Sequence, residues 1–517
     1  MYKSASASIW LLLLSLLTAS HAPAQRTSDN GNGTYTNPVI PADFPDPDVI
    51  LVGDTYYMVT TTMFVFPGVT ILSSKDLVNW EYCSNALPRF DFGKCYDLDS
   101  CNRYGHGQWA TSMKYRNGKF YLLFITLNEG GFMCTSAKAE GPWKITHLPK
   151  GFYDPGLFFD EDGRIYVAQG YSKISITEVD SDLVAVGRDS LVYTGDIRRG
   201  LEGTHVYKIN GYYYLYCTYG GLDGIQVALR SRNIYGPYEQ KVVIRDTTPG
   251  INFGVHQGAL IRTQTGEWWT MLFVDSGPFG RFPSLQPVTW VDGWPMVGVH
   301  GSGVTTHRKP DVGRTYPVKV LPTSDEFSGK TLGMQWGWNH NPDTAKWSLT
   351  QRRGYLRLFT AGLAKGLREA RNTLTQRPFA NYDQDIPATA VTKMEVAHMK
   401  EGDIAGLAVF QEPYAFIGVK QAADARYIIM VNNGAAVDSV PCTSATVYLR
   451  TIASNRSKKA SFEYSFDNRT FSPLGDQLSM KFDLSIFTGN KFCLFNYATL
   501  RIGGYVDVDW FRTDGTH

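Results

Sequence analysis

The sequence predicts an all-β protein, a five-bladed β-propeller over residues 35–306 followed by a two-sheet β-sandwich over residues 325–517. Three observations carry this. First, a turn glycine followed by aromatic or β-forming residues recurs in VGDTYYMV, RNGKFYLL, EDGRIYVA, INGYYYLY and QTGEWWTM. Second, those glycines are Gly53, Gly118, Gly163, Gly211 and Gly266, spaced 65, 45, 48 and 55 residues apart. Asp-Gly and Asn-Gly between β-formers mark hairpins, and a period of roughly 50 residues is the length of one four-stranded blade. Third, the texture changes at DEFSGKTLGMQWGWNHNPDTAKW, and the block it opens ends in the alternating YVDVDWF. Many strands with little helical signal predict packed antiparallel sheets. Between the blocks, residues 307–324 (HRKPDVGRTYPVKVLPTS) read as a linker.

In chain order, MYKSASASIWLLLLSLLTASHAPAQ has one lysine, an apolar run and a small-residue exit, which predicts a signal peptide over residues 1–24 cleaved after Ala24. The run is too short to span a bilayer, and no cysteine follows it to carry a lipid anchor. Export to the periplasm, or secretion, is therefore expected, with residues 25–34 as a leader. A chain of 517 residues exceeds one ordinary core. Its 50 basic and 48 acidic residues, without a long run of one sign, give no electrostatic basis for binding nucleic acid or an anionic membrane. Aromatics at 14% suit both sheet cores and sugar stacking. Of the seven cysteines, Cys95 and Cys101 are placed to staple one loop, and no pair has zinc-ligand spacing. Oligomeric state is not legible.

In a propeller the innermost strand of each blade lines the axis, so residues just ahead of the five turns converge. Blade I brings Asp46 in PADFPDPDVI, blade III Asp154 in GFYDPGLFF, and blade IV Glu202 in RRGLEGTHVYK. Blade II brings His106 and Trp109 in GHGQWATSM, and blade V His256 in GVHQGALI. Asp46 lies between two prolines, which restrict its backbone and favour extended geometry. One acid capping a turn is commonplace; three converging in a recess raise one another's pKa and suit acid–base chemistry. Glycoside hydrolysis needs such a set, one carboxyl to protonate the leaving oxygen and another to draw a proton from water. His256 with nearby acids is also placed to support an axial structural ion, calcium through water, while no cofactor is required for the chemistry.

These residues resemble glycoside hydrolase family 43. The stretches that carry the resemblance are NPVIPADFPDPDVI, SKDLVNWE, GFYDPGLFFDEDGRIYVAQG, LEGTHVYKINGYYYLY and GRFPSLQPVTWVDGWP. The block containing LGMQWGWNHNP and RNTLTQR is similar to the concanavalin-like, jelly-roll sandwich of the exo-acting xylosidase and arabinofuranosidase branch. The resemblance implies inversion, with Asp46 as general base, Glu202 as general acid and Asp154 orienting that acid and tuning its pKa. Trp109 would form part of the sugar platform, His256 would be the axial histidine, and Arg281 in GRFPS would be a sugar-contacting cation. Asp48 departs from the serine of many relatives, which leaves two acids side by side at the base. The regions PADFPDPD and NEGGFMCTS resemble exported bacterial enzymes of plant hemicellulose breakdown, implying release of terminal α-L-arabinofuranosyl groups from arabinoxylan or arabinosylated xyloglucan. β-D-Xylosidase, alone or as a dual activity, is the alternative. A non-catalytic carbohydrate-binding protein is the reading from another class, but it would need the aromatic platform and not three acids. Trp336 and Trp338, in a dense aromatic setting, are expected in the sandwich core.

Overall fold

The computed structural model describes residues 27–245, 254–380 and 386–513, so the expected signal peptide and its cleavage site lie outside the described residues. The chain is all-β, with five four-stranded antiparallel blades. Blade I is built from Asp48–Val52, Thr55–Thr60, Gly68–Ser74 and Trp80–Leu87; blade II from Ser112–Arg116, Lys119–Thr126, Gly130–Ser136 and Lys144–His147. Blade III comprises Gly156–Phe159, Ile165–Gln169, Lys173–Val179 and Ala185–Thr194; blade IV Leu201–Ile209, Tyr212–Tyr219, Ile225–Ser231 and Glu239–Ile244. Blade V comprises Val255–Arg262, Trp268–Asp275, Arg281–Val291 and Trp294–Val297.

All five turn glycines sit between the first and second strands of their blades, with φ of 63, 75, 90, 76 and 96° from Gly53 to Gly266. That left-handed backbone is why glycine recurs there. The first strands then neighbour one another in a closed ring, which puts the residues ahead of them at the axis.

Each seam between blades has its own apolar core. Val59, Met113, Leu122 and Phe132 fill the seam of blades I and II, and Leu123, Leu157 and Val167 that of II and III. Tyr166, Val206 and Leu215 lie between III and IV, and Tyr216, Leu260 and Leu272 between IV and V. Tyr56, Met58, Ala259, Met271 and Leu285 close the circle between V and I. Each large side chain so buried contributes about 1.5–3 kcal/mol, so stability resides in the seams and the axis can be left polar. The N-terminal segment clasps blade V: Tyr35 Oη donates to Leu285 O at 2.7 Å, and Asn37 both donates to and accepts from the Leu285 backbone. Strand Thr34–Thr36 also pairs with Thr306–Arg308, so the segment expected as a linker begins in a strand.

The second block is a sandwich of two sheets. One runs in the order Ala435–Pro441, Arg426–Asn432, Ala415–Gln421, Asp403–Phe410, Lys491–Ala498, Leu374–Gln376 and Trp336–Asn339. Its last strand is not from this block: Val65–Phe66 of the propeller pairs with Trp338 and Asn339 and covers that edge. The other sheet carries Trp347–Ser348, Leu356–Phe359, Tyr505–Thr513, Ala388–Glu395, Thr446–Ser454 and Lys459–Ser465, with short strands beyond. Trp336 and Trp338 are buried in the sandwich core, as expected from their setting. A separate apolar cluster joins Met63, Phe64 and Tyr104 of the propeller to Leu367, Phe410, Tyr414 and Phe495 of the sandwich. Cys95 and Cys101 form a disulfide.

Candidate active site

Asp46 enters the site from blade I, and its backbone is not extended. Its φ is 55°, left-handed despite Pro47 after it. Asp154 repeats this at φ 45° ahead of Pro155, Gly203 follows Glu202 at φ 64°, and Gln257 follows His256 at φ 49°. Four of the five blades thus enter the axis through one left-handed residue. At a non-glycine position such a backbone costs about 1–3 kcal/mol, so tertiary bonds must hold it. For Asp46 they are visible: Thr61 Oγ1 donates to Oδ2 at 2.6 Å, Arg281 Nη1 donates to Oδ1 at 2.9 Å, and Thr61 N donates to Pro45 O at 3.1 Å. Asp154 Oδ2 accepts the Gly203 N–H at 3.2 Å, so the backbone next to Glu202 is tied to the neighbouring acid.

Glu202 Oε2 accepts from the Tyr153 hydroxyl at 3.0 Å. Burial pushes the Glu202 carboxyl up to about 7; the Tyr153 hydrogen bond opposes this, the Asp46 charge adds to it, and Arg281 again opposes it. Asp154 is fully enclosed and is also held well above the usual carboxylate range, by burial first and then by Glu202 and Asp46. Repulsion between Asp154 and Glu202 is mutual, so their protons belong to the pair, which retains a proton near neutrality. The expected direction for Glu202 is therefore present, with burial as its first cause.

Arg281 is 6% exposed, and its Nε and Nη2, although buried, have no hydrogen-bond partner among the described residues. Its guanidinium lies 5.4 Å from the Phe273 ring centre, 5.1 Å from Phe487 and 6.0 Å from Phe482. The last two belong to the sandwich block. Phe487 also stacks on Trp109, with centroids 4.9 Å apart at 22°. Gln108 and Thr111 pin the loop that carries Trp109. His256 is buried and burial pushes its imidazole down; Nδ1 is 3.0 Å from Gly254 O, and Nε2 is 3.7 Å from Asp275. His106 does not join the axis: it is exposed and pairs with Asn128 at 2.9 Å.

The two aspartates beside Asp46 have other work. Asp48 Oδ2 accepts the Met113 N–H at 2.7 Å, and its carboxylate faces Lys114 at 3.5 Å and His205 at 3.3 Å. Burial would raise it, but these two partners and the N–H outweigh burial and hold it at about 2. It staples blades I, II and IV. Asp43, also buried, accepts from Arg281 N at 3.0 Å and Gly489 N at 2.8 Å and pairs with buried Lys491 at 3.3 Å. Arg377 Nε donates to the Asp43 carbonyl at 2.7 Å. The loop bearing Asp46 is thus docked onto the sandwich. A cavity of about 510 Å³ lies along the first strands beyond Asp48, lined by Ile50, Lys114, Phe158, Lys208 and Arg262 among others, and none of the three axial acids lines it.

Residues 35–295 match the family model for glycosyl hydrolases family 43, and residues 324–514 match the β-xylosidase C-terminal concanavalin A-like domain. The chain belongs to glycosyl hydrolase family 43. It is 34% identical to a β-xylosidase of Formosa agariphila over 99% of this chain and 98% of that one. It is 30% identical to a non-reducing end α-L-arabinofuranosidase of Bacteroides ovatus, covering 78% of this chain and 77% of the other. Among solved structures, a bifunctional GH43-CE protein of Bacteroides eggerthii superposes with a TM-score of 0.85 at 38% identity. That match covers 93% of this chain, which spans 64% of the length of the bifunctional one. The expected fold, with its propeller and concanavalin-like sandwich, is borne out, and the protein is a glycoside hydrolase.

For this hydrolase an axial ion has a thin donor set. Among the described residues no group of three or more His, Cys, Asp or Glu stands close enough to hold a metal, and His256 faces one carbonyl and one distant carboxylate. Sequence reasoning missed Thr61, Tyr153, Phe482, Phe487 and the docking role of Asp43. Tyr153 had a signal, standing directly before Asp154. The two phenylalanines, in KFDLSIFTGN, had none.

Proposed function

We propose that this family 43 hydrolase releases single terminal pentosyl groups from the non-reducing ends of plant hemicellulose chains or side chains, with inversion. The observation that carries the reading is the three-acid recess at the axis walled by Phe482 and Phe487 of the second block. A wall there favours a pocket for a chain end over an open groove. β-D-Xylosyl is the first substrate on the similarity to the Formosa agariphila enzyme, and α-L-arabinofuranosyl, the sugar the sequence favoured, is the second reading on the similarity to the Bacteroides ovatus enzyme. Export is part of the same proposal, on the apolar run before APA.

In this mechanism Asp46, steadied by Thr61 and Arg281, takes a proton from a water on the face of the sugar opposite the leaving group. Glu202 gives its proton to the departing oxygen, and Asp154 holds the backbone beside it. A water fits between base and acid when their carboxyls stand roughly 6.5–9.5 Å apart, the inverting arrangement. The unpartnered N–H groups of Arg281 are left for sugar hydroxyls, and Trp109 with Phe487 supplies the apolar wall.

The test is a pair of rate series, Asp46→Ala and Glu202→Ala, on xylosides and arabinofuranosides of graded leaving-group pKa, with the released anomer followed by proton NMR. Glu202→Ala should lose roughly 10²–10⁴-fold on poor leaving groups and far less on acidic phenols. Asp46→Ala should be severe on both. Retention of configuration, or equal leaving-group sensitivity of both variants, would overturn the mechanism; a higher kcat/KM for arabinofuranosides would exchange the two sugar readings.

A further inference from the structure

Glu202 has two carboxyl oxygens, and the protein treats them differently. Oε2 accepts the Tyr153 hydroxyl at 3.0 Å. Oε1 accepts no hydrogen bond among the described residues and stands beside Gly220, where an added Cβ would come within 2.9 Å of it. Side-chain space at residue 220 is thus left to the acid.

Tyr153 is itself fixed. Its N–H donates to Gln169 Oε1 at 3.1 Å, and its carbonyl accepts from Gly170 N at 3.1 Å. Its ring meets Trp109 with centroids 6.0 Å apart and meets Tyr171 edge-on at 6.3 Å and 88°. The groups facing Glu202 are Asp46 from blade I, Tyr153 and Asp154 from the loop entering blade III, and Arg281 from blade V. Of these, Tyr153 alone hydrogen-bonds the Glu202 side chain among the described residues.

We propose that Tyr153 is the positioning residue of the acid: its hydroxyl occupies Glu202 Oε2, so that the proton sits on Oε1 and is presented to the glycosidic oxygen. This rests on the reading of Glu202 as the acid. A carboxylic acid has one proton, and its carbonyl oxygen is the stronger acceptor, so a phenol donating to Oε2 favours the proton on Oε1. During reaction the Oε1–H bond breaks and a bond from that hydrogen to the leaving oxygen forms, the glycosidic C–O bond breaks as the attacking water's oxygen bonds to the anomeric carbon from the opposite face, and that water gives its proton to Asp46. Glu202 ends as a carboxylate, and the Tyr153 bond then becomes charge-assisted. It strengthens as charge develops, which is what lowers a barrier. The phenol remains a donor throughout, because burial and the three nearby acids all raise its own pKa.

Tyr153→Phe keeps the ring and removes the hydroxyl. Three results are expected: kcat on poor leaving groups falls roughly 10–100-fold with KM little changed, rates on dinitrophenyl glycosides fall far less, and the alkaline limb of kcat moves to higher pH, since the carboxylate form loses its donor. Replacing Tyr153 with a ring-fluorinated tyrosine, a stronger donor of nearly the same shape, should move that limb to lower pH, and this variant serves if the phenylalanine protein does not fold. Glu202→Ala runs alongside. If Glu202→Ala shows no leaving-group dependence, the acid reading falls and this proposal with it. If Glu202→Ala shows that dependence but the limb does not respond to either Tyr153 variant, or Tyr153→Phe slows all leaving groups alike, Tyr153 is not the positioning residue and the acid stands.

Discussion

If Glu202 is the acid, as proposed, its raised carboxyl should set the working pH of the enzyme. At about 7 it is half protonated at neutral pH, whereas a carboxyl at the ordinary value of 4.5 would retain about 0.3% of its proton there, so the site gains roughly 160-fold in competent acid. On a substrate whose leaving group needs a proton, kcat should therefore halve near pH 7 and fall tenfold per unit above it, to about 1% at pH 9. The limb reports the Asp154–Glu202 pair, so Asp154→Asn, which removes the mutual repulsion, should move it to lower pH. The assay is kcat from about pH 4 to 10 on methyl and dinitrophenyl glycosides of the preferred sugar, the second as control because its phenolate leaves unprotonated. A midpoint below about 5.5 on the methyl glycoside, or an equally steep limb on the dinitrophenyl one, would refute the reasoning.

Three further outcomes are expected. Because the folded pKa of Glu202 lies above its unfolded value, the fold holds a proton that the unfolded chain releases, and stability declines as pH rises from about 4.5 to 7. Glu202→Gln should accordingly gain on the order of 1–3 kcal/mol over the parent at pH 8 and nothing at pH 4, read by denaturant midpoints. Asp48→Asn breaks the pairing with Lys114 and His205 and should cost about 3–5 kcal/mol of stability while kcat at low temperature stays within tenfold; a collapse in kcat of the folded variant would make Asp48 the base. Lys491→Met strands the buried Asp43 carboxylate at a similar cost of about 3–5 kcal/mol, and activity should vanish at the temperature where Asp46 undocks, measured by parallel melting and rate curves; Asp43→Asn combined with Lys491→Met should recover part of both.

The blades were legible because each repeats a local necessity, a left-handed glycine between two β-forming runs, and local necessities leave residues behind. Asp154 and Glu202 were legible for a related reason, since each stands a fixed distance before its glycine. The backbone at Asp46 was misread: the preference of a residue before proline for extended geometry is real, and here two side-chain bonds and one backbone bond override it. Arg281 lies 235 residues from Asp46, and no local pattern marks such a partner. The same holds for Val65–Phe66, a dipeptide that reads as loop and becomes a strand because Trp338 and Asn339 offer an open edge. Phe487 reads as one more core aromatic, since its role comes from which surface the loop reaches.

The bonds from Asp43 to Gly489 and Lys491 also govern the order of events during synthesis. They link residues 446 and 448 positions apart, so the turn holding Asp46 lacks those supports until Gly489 and Lys491 have left the ribosome. Blades II to IV can close their seams early, from neighbouring segments. The wall of the recess needs the segment that leads into strand Lys491–Ala498, since Phe487 lies over Trp109. A nascent chain released before that strand would lack the residues of the second block that dock the Asp46 loop and pack against Arg281, which ties the shape of the recess to the presence of the sandwich.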